Sequence, residues 1–144
     1  MSGESTKTDT KRDRLENTVS GHEEISVAYL FGSAARDEAT VGSDIDVAIL
    51  VAKELPDPLR HRAELVEELT RACGVSVDVV LLGEAPPELA SRVVREGELL
   101  LSRDESARVR FETEALRRYF DTARMRRELD RALLSDLREG RFLG

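Results

Sequence analysis

The stretch Ile25 to Val51, ISVAYLFGSAARDEATVGSDIDVAILV, consists of two apolar runs on either side of a polar segment. The first run, Ile25 to Phe31, is rich in β-branched and aromatic residues and stops at Gly32, which is typical of a buried strand ending in a tight turn. The second run, Ile45 to Val51, has the same character. The stretch therefore predicts two strands with a turn and a short helix between them.

Gly32 and Ser33 lie where the first strand gives way to the predicted short helix. Ser33 can cap the free N–H groups of the first helical turn. Gly32 has no side chain, so a phosphate can approach the backbone, where amide hydrogens and the helix dipole favour negative charge. These residues are a candidate phosphate site. Arg36, further along the helix, either binds a nucleotide phosphate or pairs with Asp37 or Glu38.

Two carboxylates, Asp44 and Asp46, open the second strand directly after Ser43. Because strand side chains alternate, both aspartates are predicted to project from one face. Two neighbouring carboxylates repel each other when they lose hydration, and a divalent cation removes that cost. Oxygen ligands without a nearby His or Cys suit Mg²⁺ or Mn²⁺. A metal site beside a phosphate site indicates phosphoryl or nucleotidyl transfer.

A third apolar run, Val75 to Leu82, contains Asp78 as its only charged residue. In a third strand Asp78 would share one face with Val80. If this strand neighbours the second strand, Asp78 joins Asp44 and Asp46, either as a metal ligand or as general base for an attacking hydroxyl. The alternative is an acid at a strand edge that simply faces water.

These residues carry a resemblance to a known superfamily. The order Gly32-Ser33, Asp44-Ile45-Asp46 and a later strand with Asp78 resembles the polymerase-beta-type nucleotidyltransferase signature. Phe31 to Arg36 is similar to the corresponding motif of its minimal nucleotidyltransferase branch. Within that branch the chain resembles the antitoxins that pair with HEPN-type ribonuclease toxins, through Glu96 to Leu101, Arg110 to Glu112 and Arg118 to Asp121.

The resemblance implies an α/β (α+β) fold, with a small mixed β-sheet nucleotidyltransferase core, flanking helices and a C-terminal helical segment. It also implies ATP as the substrate and Mg²⁺ or Mn²⁺ as the cofactor. The implied catalytic and metal-binding residues are Asp44, Asp46 and Asp78. The implied nucleotide-binding residues are Gly32, Ser33, Arg36 and Ser43.

The function implied by the resemblance is that of an antitoxin. Such a protein would be a Mg²⁺-dependent protein adenylyltransferase, which transfers AMP from ATP to a tyrosine of a HEPN ribonuclease toxin. Two alternatives stay open. The chain could modify a small hydroxylated molecule such as an antibiotic, although no second substrate domain is obvious, or it could be a non-catalytic antitoxin that acts by binding, although such a protein would not need three acids.

Composition restricts the partners and the location. A chain of 144 residues with a net charge of −7 is expected to form one domain that does not bind nucleic acid directly, because phosphate backbones require basic surfaces. Cys73 is the single cysteine, so an intramolecular disulfide is excluded. Without an apolar leader or a long apolar run, we expect a cytoplasmic protein that does not enter membranes. His22 and His61 are interpreted as surface residues near helix ends.

Along the chain we predict three segments: a disordered tail at residues 1–9, the nucleotidyltransferase core at 10–102 and a helical segment at 103–144 that packs on the core. Asp57 is expected to cap a helix that has Pro58 at its first position, runs to Gly74 and turns Leu59 and Leu69 inward. A long helix or a helix pair is predicted from Asp104 to Glu139. Its apolar stripe is interpreted as core.

Overall fold

The computed structural model describes residues 7–32 and 45–140 of the chain. These residues form four α-helices and four β-strands, with a short 3-10 turn at Leu82–Glu84. In chain order the elements are α1 (Lys7–Ser20), β1 (Ile25–Phe31), β2 (Ile45–Val51), α2 (Pro58–Cys73), β3 (Val77–Leu81), α3 (Pro87–Glu96), β4 (Glu98–Ser102) and α4 (Glu105–Arg138). None of the helices described is long and apolar enough to cross a membrane.

The strands form one mixed sheet in the order β3-β2-β1-β4. β1 is antiparallel to both β2 and β4, whereas β2 and β3 are parallel. The parallel pair requires a crossover connection, which α2 supplies. The predicted mixed sheet with flanking helices is therefore confirmed.

Helices cover both faces of the sheet, and the side chains of each strand alternate between two hydrophobic clusters. Ala28 and Leu30 of β1 belong to the cluster beneath α1 and α2, whereas Val27, Tyr29 and Phe31 belong to the cluster beneath α3 and α4. This two-sided burial explains why both runs of the Ile25 to Val51 stretch are almost continuously apolar.

Local signals fix the ends of α2. The Asp57 side chain accepts a hydrogen bond from the N–H of Arg60, Pro58 is the first helical residue, and Gly74 ends the helix with a φ of 77°. All three features were expected. Leu69 is buried as predicted, but Leu59 is 76 % exposed, so its assignment to the inward face was wrong.

Two other boundaries differ from the prediction. α1 begins at Lys7, so residues 7–9 of the expected tail are helical, and residues 1–6 lie outside the described part. β3 starts at Val77 rather than at Val75. The terminal segment forms one helix of 34 residues, the first of the two predicted alternatives.

The two halves of α4 differ in their environment. The first half lies on α3 and β1: Ala115 is buried, Phe111 packs against the cluster beneath α3 and α4, and the Arg95 guanidinium lies 5.0 Å from the centre of the Tyr119 ring. The second half exposes a row of large apolar side chains, namely Met125, Leu129, Leu133, Leu134 and Leu137. The interpretation of this stripe as core was wrong.

A buried hydrogen bond fastens α4 to the sheet. The Tyr29 hydroxyl donates to Oε2 of Glu112 over 2.7 Å, and Glu112 also accepts from Arg108. Burial, followed by the hydrogen bond to this carboxylate, raises the pKa of Tyr29 above its usual value. The ring is 2 % exposed, so the neutral phenol is part of the packed interior.

The raised pKa of Tyr29 predicts a loss of stability at alkaline pH. Above about pH 10 the tyrosine of the unfolded chain releases its proton while the folded protein retains it, so the free energy of unfolding falls by up to about 1.4 kcal/mol per pH unit. Tyr29→Phe should remove this slope and cost about 1 kcal/mol at pH 7. Urea unfolding between pH 7 and 11 measures both effects. In Tyr119→Phe, which changes the only other tyrosine, the slope should persist.

Candidate active site

Gly32 ends β1 in a conformation that suits glycine, with a φ of +83°. A Cβ atom at this position would lie 2.5 Å from Oδ2 of Asp46, well inside van der Waals contact. The turn backbone is therefore packed directly against the Asp46 carboxylate. Gly32 has two reasons to be glycine, its left-handed backbone and this close approach.

Asp46 and Asp78 occupy paired positions on adjacent parallel strands. On the other side of β2, Phe31 is the antiparallel partner of Asp46. The three residues form one row across the sheet, and the face they share is the one that α3 and α4 cover, since Phe31 packs in that cluster. The expectation that β3 brings Asp78 beside Asp46 is thus met by the strand register.

Asp78 has a basic partner that the sequence did not indicate. Nη2 of Arg62 donates to Oδ1 of Asp78 over 2.7 Å, while Nε of Arg62 donates to the carbonyl oxygen of Val79 over 2.6 Å. The N–H of Val79 also donates to Oδ1. Arg62 therefore spans the edge strand and fixes the orientation of a carboxylate whose side chain is 49 % exposed.

The other predicted site residues fall outside the described part of the chain. Ser33, Arg36, Ser43 and Asp44 lie in residues 33–44, and their roles stay predictions. Among the described residues, Gly32, Asp46 and Asp78 are brought to one end of the sheet. Asp46 makes interactions of its own there. Chemically, this end of the sheet presents carboxylate oxygens next to an accessible backbone turn.

The contact of Arg62 predicts a role in positioning Asp78. In Arg62→Met the carboxylate loses its orienting cation, and we expect nucleotide transfer to fall by about tenfold, as for other groups that orient a functional carboxylate. The stability change should stay below about 1 kcal/mol because the pair is partly exposed. Arg60→Met is the matched control, since Arg60 lies on the same helix and its side chain pairs with the exposed Glu64. Equal activity of the two variants would contradict the role.

A turn glycine lies against one aspartate, with a second aspartate at the paired position of a parallel strand, as the resemblance to nucleotidyltransferases led us to expect. Residues 13–106 match the family Polymerase beta, Nucleotidyltransferase. This match covers more than half of the chain, which therefore belongs to that family.

Comparison with known proteins finds more specific relatives. The chain is 37 % identical over 76 residues to the protein adenylyltransferase MntA of Shewanella oneidensis, a match covering 53 % of this chain and 53 % of MntA. The chain thus matches about half the length of that curated relative. A solved toxin–antitoxin structure with AMP-PNP is similar with a TM-score of 0.72 and 25 % identity, covering 85 % of this chain and 98 % of that chain.

A second solved structure contains a tri-AMPylated HEPN toxin of Shewanella oneidensis in complex with an MNT antitoxin. It matches with a TM-score of 0.68 and 23 % identity, covering 88 % of this chain and 98 % of that chain. At this identity the likeness shows a shared fold. Together with the family match, it confirms the resemblance to polymerase-beta-type nucleotidyltransferases that was drawn from the sequence.

Proposed function

We propose that this protein is the antitoxin of a toxin–antitoxin pair and that it transfers AMP from ATP to a tyrosine of a HEPN-type ribonuclease toxin. The observation that carries the proposal is the packing of the Gly32 turn against Asp46, with Asp78 at the paired position of β3. Two similarities support this reaction: sequence similarity to a protein adenylyltransferase, and structural similarity to a toxin–antitoxin structure with an ATP analogue.

The donor atoms of the site fit a hard divalent cation. Asp46 and Asp78 offer carboxylate oxygens, which suit Mg²⁺ or Mn²⁺, and Asp44 is the third acid proposed to hold the ion. When bound, the ion would neutralise the charge of the ATP phosphates. Gly32 would leave room for a phosphate at the backbone, with Ser33, Arg36 and Ser43 as further nucleotide contacts.

The proposed reaction is a displacement at the α-phosphorus of ATP. The tyrosine hydroxyl oxygen of the toxin forms the new bond to this phosphorus, the bond to the bridging oxygen breaks, and pyrophosphate leaves. The hydroxyl proton passes to a base. Asp78, which Arg62 holds in a fixed orientation, is proposed either to take this proton or to ligate the metal.

The exposed stripe of α4 (Met125, Leu129, Leu133, Leu134 and Leu137) supports a protein as the acceptor. Several large apolar side chains on one unsupported helix are costly in water and are typical of a surface that a partner covers. An enzyme that modifies a small molecule has no need of such a surface. Arg117 and Arg118 on the preceding turns, each paired with Glu114, are candidates for its polar rim.

The test is incubation of the protein with the toxin from the adjacent reading frame, ATP and Mg²⁺, followed by mass spectrometry of the toxin. We expect one or more AMP additions on tyrosine and loss of ribonuclease activity that persists after the proteins are separated. Inhibition without added mass would favour binding alone. Labelling of a small hydroxylated acceptor, with an unmodified toxin, would favour the other alternative.

The same incubation tests the α4 stripe. Leu129→Glu combined with Leu133→Glu should abolish capture of the toxin and reduce its AMPylation at low concentration, because two charges enter the proposed contact. The matched control is Leu59→Glu, which changes an exposed leucine of α2 that is distant in sequence from α4. Both proteins should keep the wild-type melting temperature. Unchanged toxin capture by the α4 variant would rule this surface out.

A further inference from the structure

His22, Glu24 and His61 lie together at the end of the sheet remote from the candidate active site. Glu24 precedes β1, and its carbonyl oxygen accepts from the N–H of Ala52, just beyond the end of β2. Gly32 follows the other end of β1. Seven strand residues separate the two ends, a distance of about 20 Å. This cluster is therefore separate from the nucleotide-transfer chemistry.

The three side chains converge on one carboxylate. Nε2 of His61 lies 2.6 Å and Nδ1 of His22 lies 3.1 Å from Oε2 of Glu24. One potential ligand atom from each residue falls within a group no wider than 4.8 Å. The chain has two histidines in all, and the fold brings both to this point from distant parts of the sequence. Both lie near helix ends, as the sequence predicted, but they are partly buried and close together.

We propose that His22, Glu24 and His61 bind one transition-metal ion of the Zn²⁺ class. Two imidazole nitrogens and one carboxylate oxygen form a ligand set suited to such ions and poorly suited to Mg²⁺. Tetrahedral Zn²⁺ with bonds of about 2.0–2.1 Å separates its ligand atoms by about 3.4 Å. Each of the two histidine nitrogens would have to move less than about 1 Å further from Oε2 of Glu24 to admit the ion. The three protein ligands leave a fourth coordination position for water.

The surroundings of His22 match the second shell of a metal site. Nε2 of His22 contacts Oε1 of Glu68 over 2.9 Å, so a carboxylate can orient the imidazole whose Nδ1 faces Glu24. On the other histidine, Nδ1 of His61 is buried and finds no hydrogen-bond partner among the described residues. Nε2, which faces Glu24, is thus the atom through which the His61 ring is anchored.

The backbone that carries His22 and Glu24 is also held in place. The Arg103 guanidinium donates to the carbonyl oxygens of Ser20, His22 and Ile25, which fixes the connection between α1 and β1. Partial burial raises the pKa of Glu24, but hydrogen bonds with His61 and His22 lower it by more, so the pKa lies below its usual value.

The test is a titration of the full chain, purified without a histidine tag and stripped of metal, with Zn²⁺ and with Co²⁺. The background for this titration is the Asp44→Asn, Asp46→Asn double variant, because it removes two of the three proposed Mg²⁺ ligands. Calorimetry should give one ion per chain, Co²⁺ should give visible ligand-field absorption, and Mg²⁺ should not compete. Adding His22→Ala and His61→Ala should abolish both the calorimetric signal and the Co²⁺ absorption. Binding that survives the histidine changes, or no binding at all, would overturn the proposal.

Two further variants separate metal binding from a network of hydrogen bonds. The Glu24→Gln variant keeps hydrogen-bonding capacity, but an amide is a poor metal ligand. This variant should therefore no longer bind the ion and should retain the fold. Glu68→Gln should weaken Zn²⁺ affinity by about 10–100-fold, whereas Glu67→Gln, which changes an exposed neighbour, should not. Zn²⁺ should raise the melting temperature of the background protein and not that of Glu24→Gln. If the melting temperatures respond equally, the cluster is a hydrogen-bonded contact only.

Discussion

The Asp46→Asn variant is expected to transfer AMP at least about a thousand times more slowly than the wild type. Asp46 is in contact range of the Gly32 turn, where the phosphates are proposed to bind, and it lies beside Asp78. Loss of its charge would weaken the metal site, whose charge neutralisation is worth several kcal/mol in the transition state, or about three powers of ten in rate. Single-turnover transfer from labelled ATP to the toxin measures the effect.

The fold of this variant should be intact. Asn is nearly isosteric with Asp, and removal of one carboxylate reduces repulsion within the acidic group when no metal is bound. Asp57→Asn is the matched control, because Asn caps a helix as well as Asp does and this residue lies at the start of α2. Retained transfer in Asp46→Asn at saturating Mg²⁺ would refute the role of Asp46 as a site residue.

The Gly32→Ala variant should lose about a hundredfold in transfer, although it adds only one methyl group. Its Cβ would collide with Oδ2 of Asp46, so the carboxylate or the turn must move. A displacement of about 1 Å at a reacting site can cost a hundredfold in rate. The left-handed backbone adds a stability penalty of about 1–2 kcal/mol for any residue with a Cβ. Transfer assays and urea unfolding measure the two effects separately.

The Gly74→Ala variant separates the effect of the contact between residue 32 and Asp46 from the stability cost of a side chain on a left-handed backbone. Gly74 has a φ of 77°, close to that of Gly32, but a Cβ there would meet nothing within 4 Å. Both variants should therefore lose similar stability, whereas only Gly32→Ala should lose activity and ATP affinity. If the two variants transfer AMP equally well, the close approach of Gly32 to Asp46 has no functional meaning.

The sequence predicted the features that depend on neighbouring residues. The apolar runs located β1 and β2, and the Asp57-Pro58 pair and Gly74 marked the ends of α2. The single charged residue in the third apolar run indicated Asp78 as a candidate site residue. The sequence predicted that Asp78 joins Asp46 if their strands are neighbours, and the parallel pairing of β2 and β3 meets that condition.

Features that depend on how elements pack could not be read in the same way. Arg62 reaches Asp78 because α2 crosses the edge of β3, and no spacing in the sequence encodes that contact. His22 and His61 meet through the same packing of α2. Leu59 and the stripe of α4 have ordinary apolar periodicity, which predicts a helical face but not what covers it.

The second half of α4 should be sensitive to local unfolding and proteolysis when the proposed partner does not cover it. A helix of 34 residues is about 51 Å long, and the turns from Met125 onward are held mainly by their own backbone bonds. Such turns open readily, exchange their amide hydrogens fast and are the first to be cut by proteases. Cleavage there would spare the sheet and its acidic residues but remove the exposed leucines. A chain without the proposed toxin would therefore lose the proposed binding surface before it loses the residues of the candidate active site.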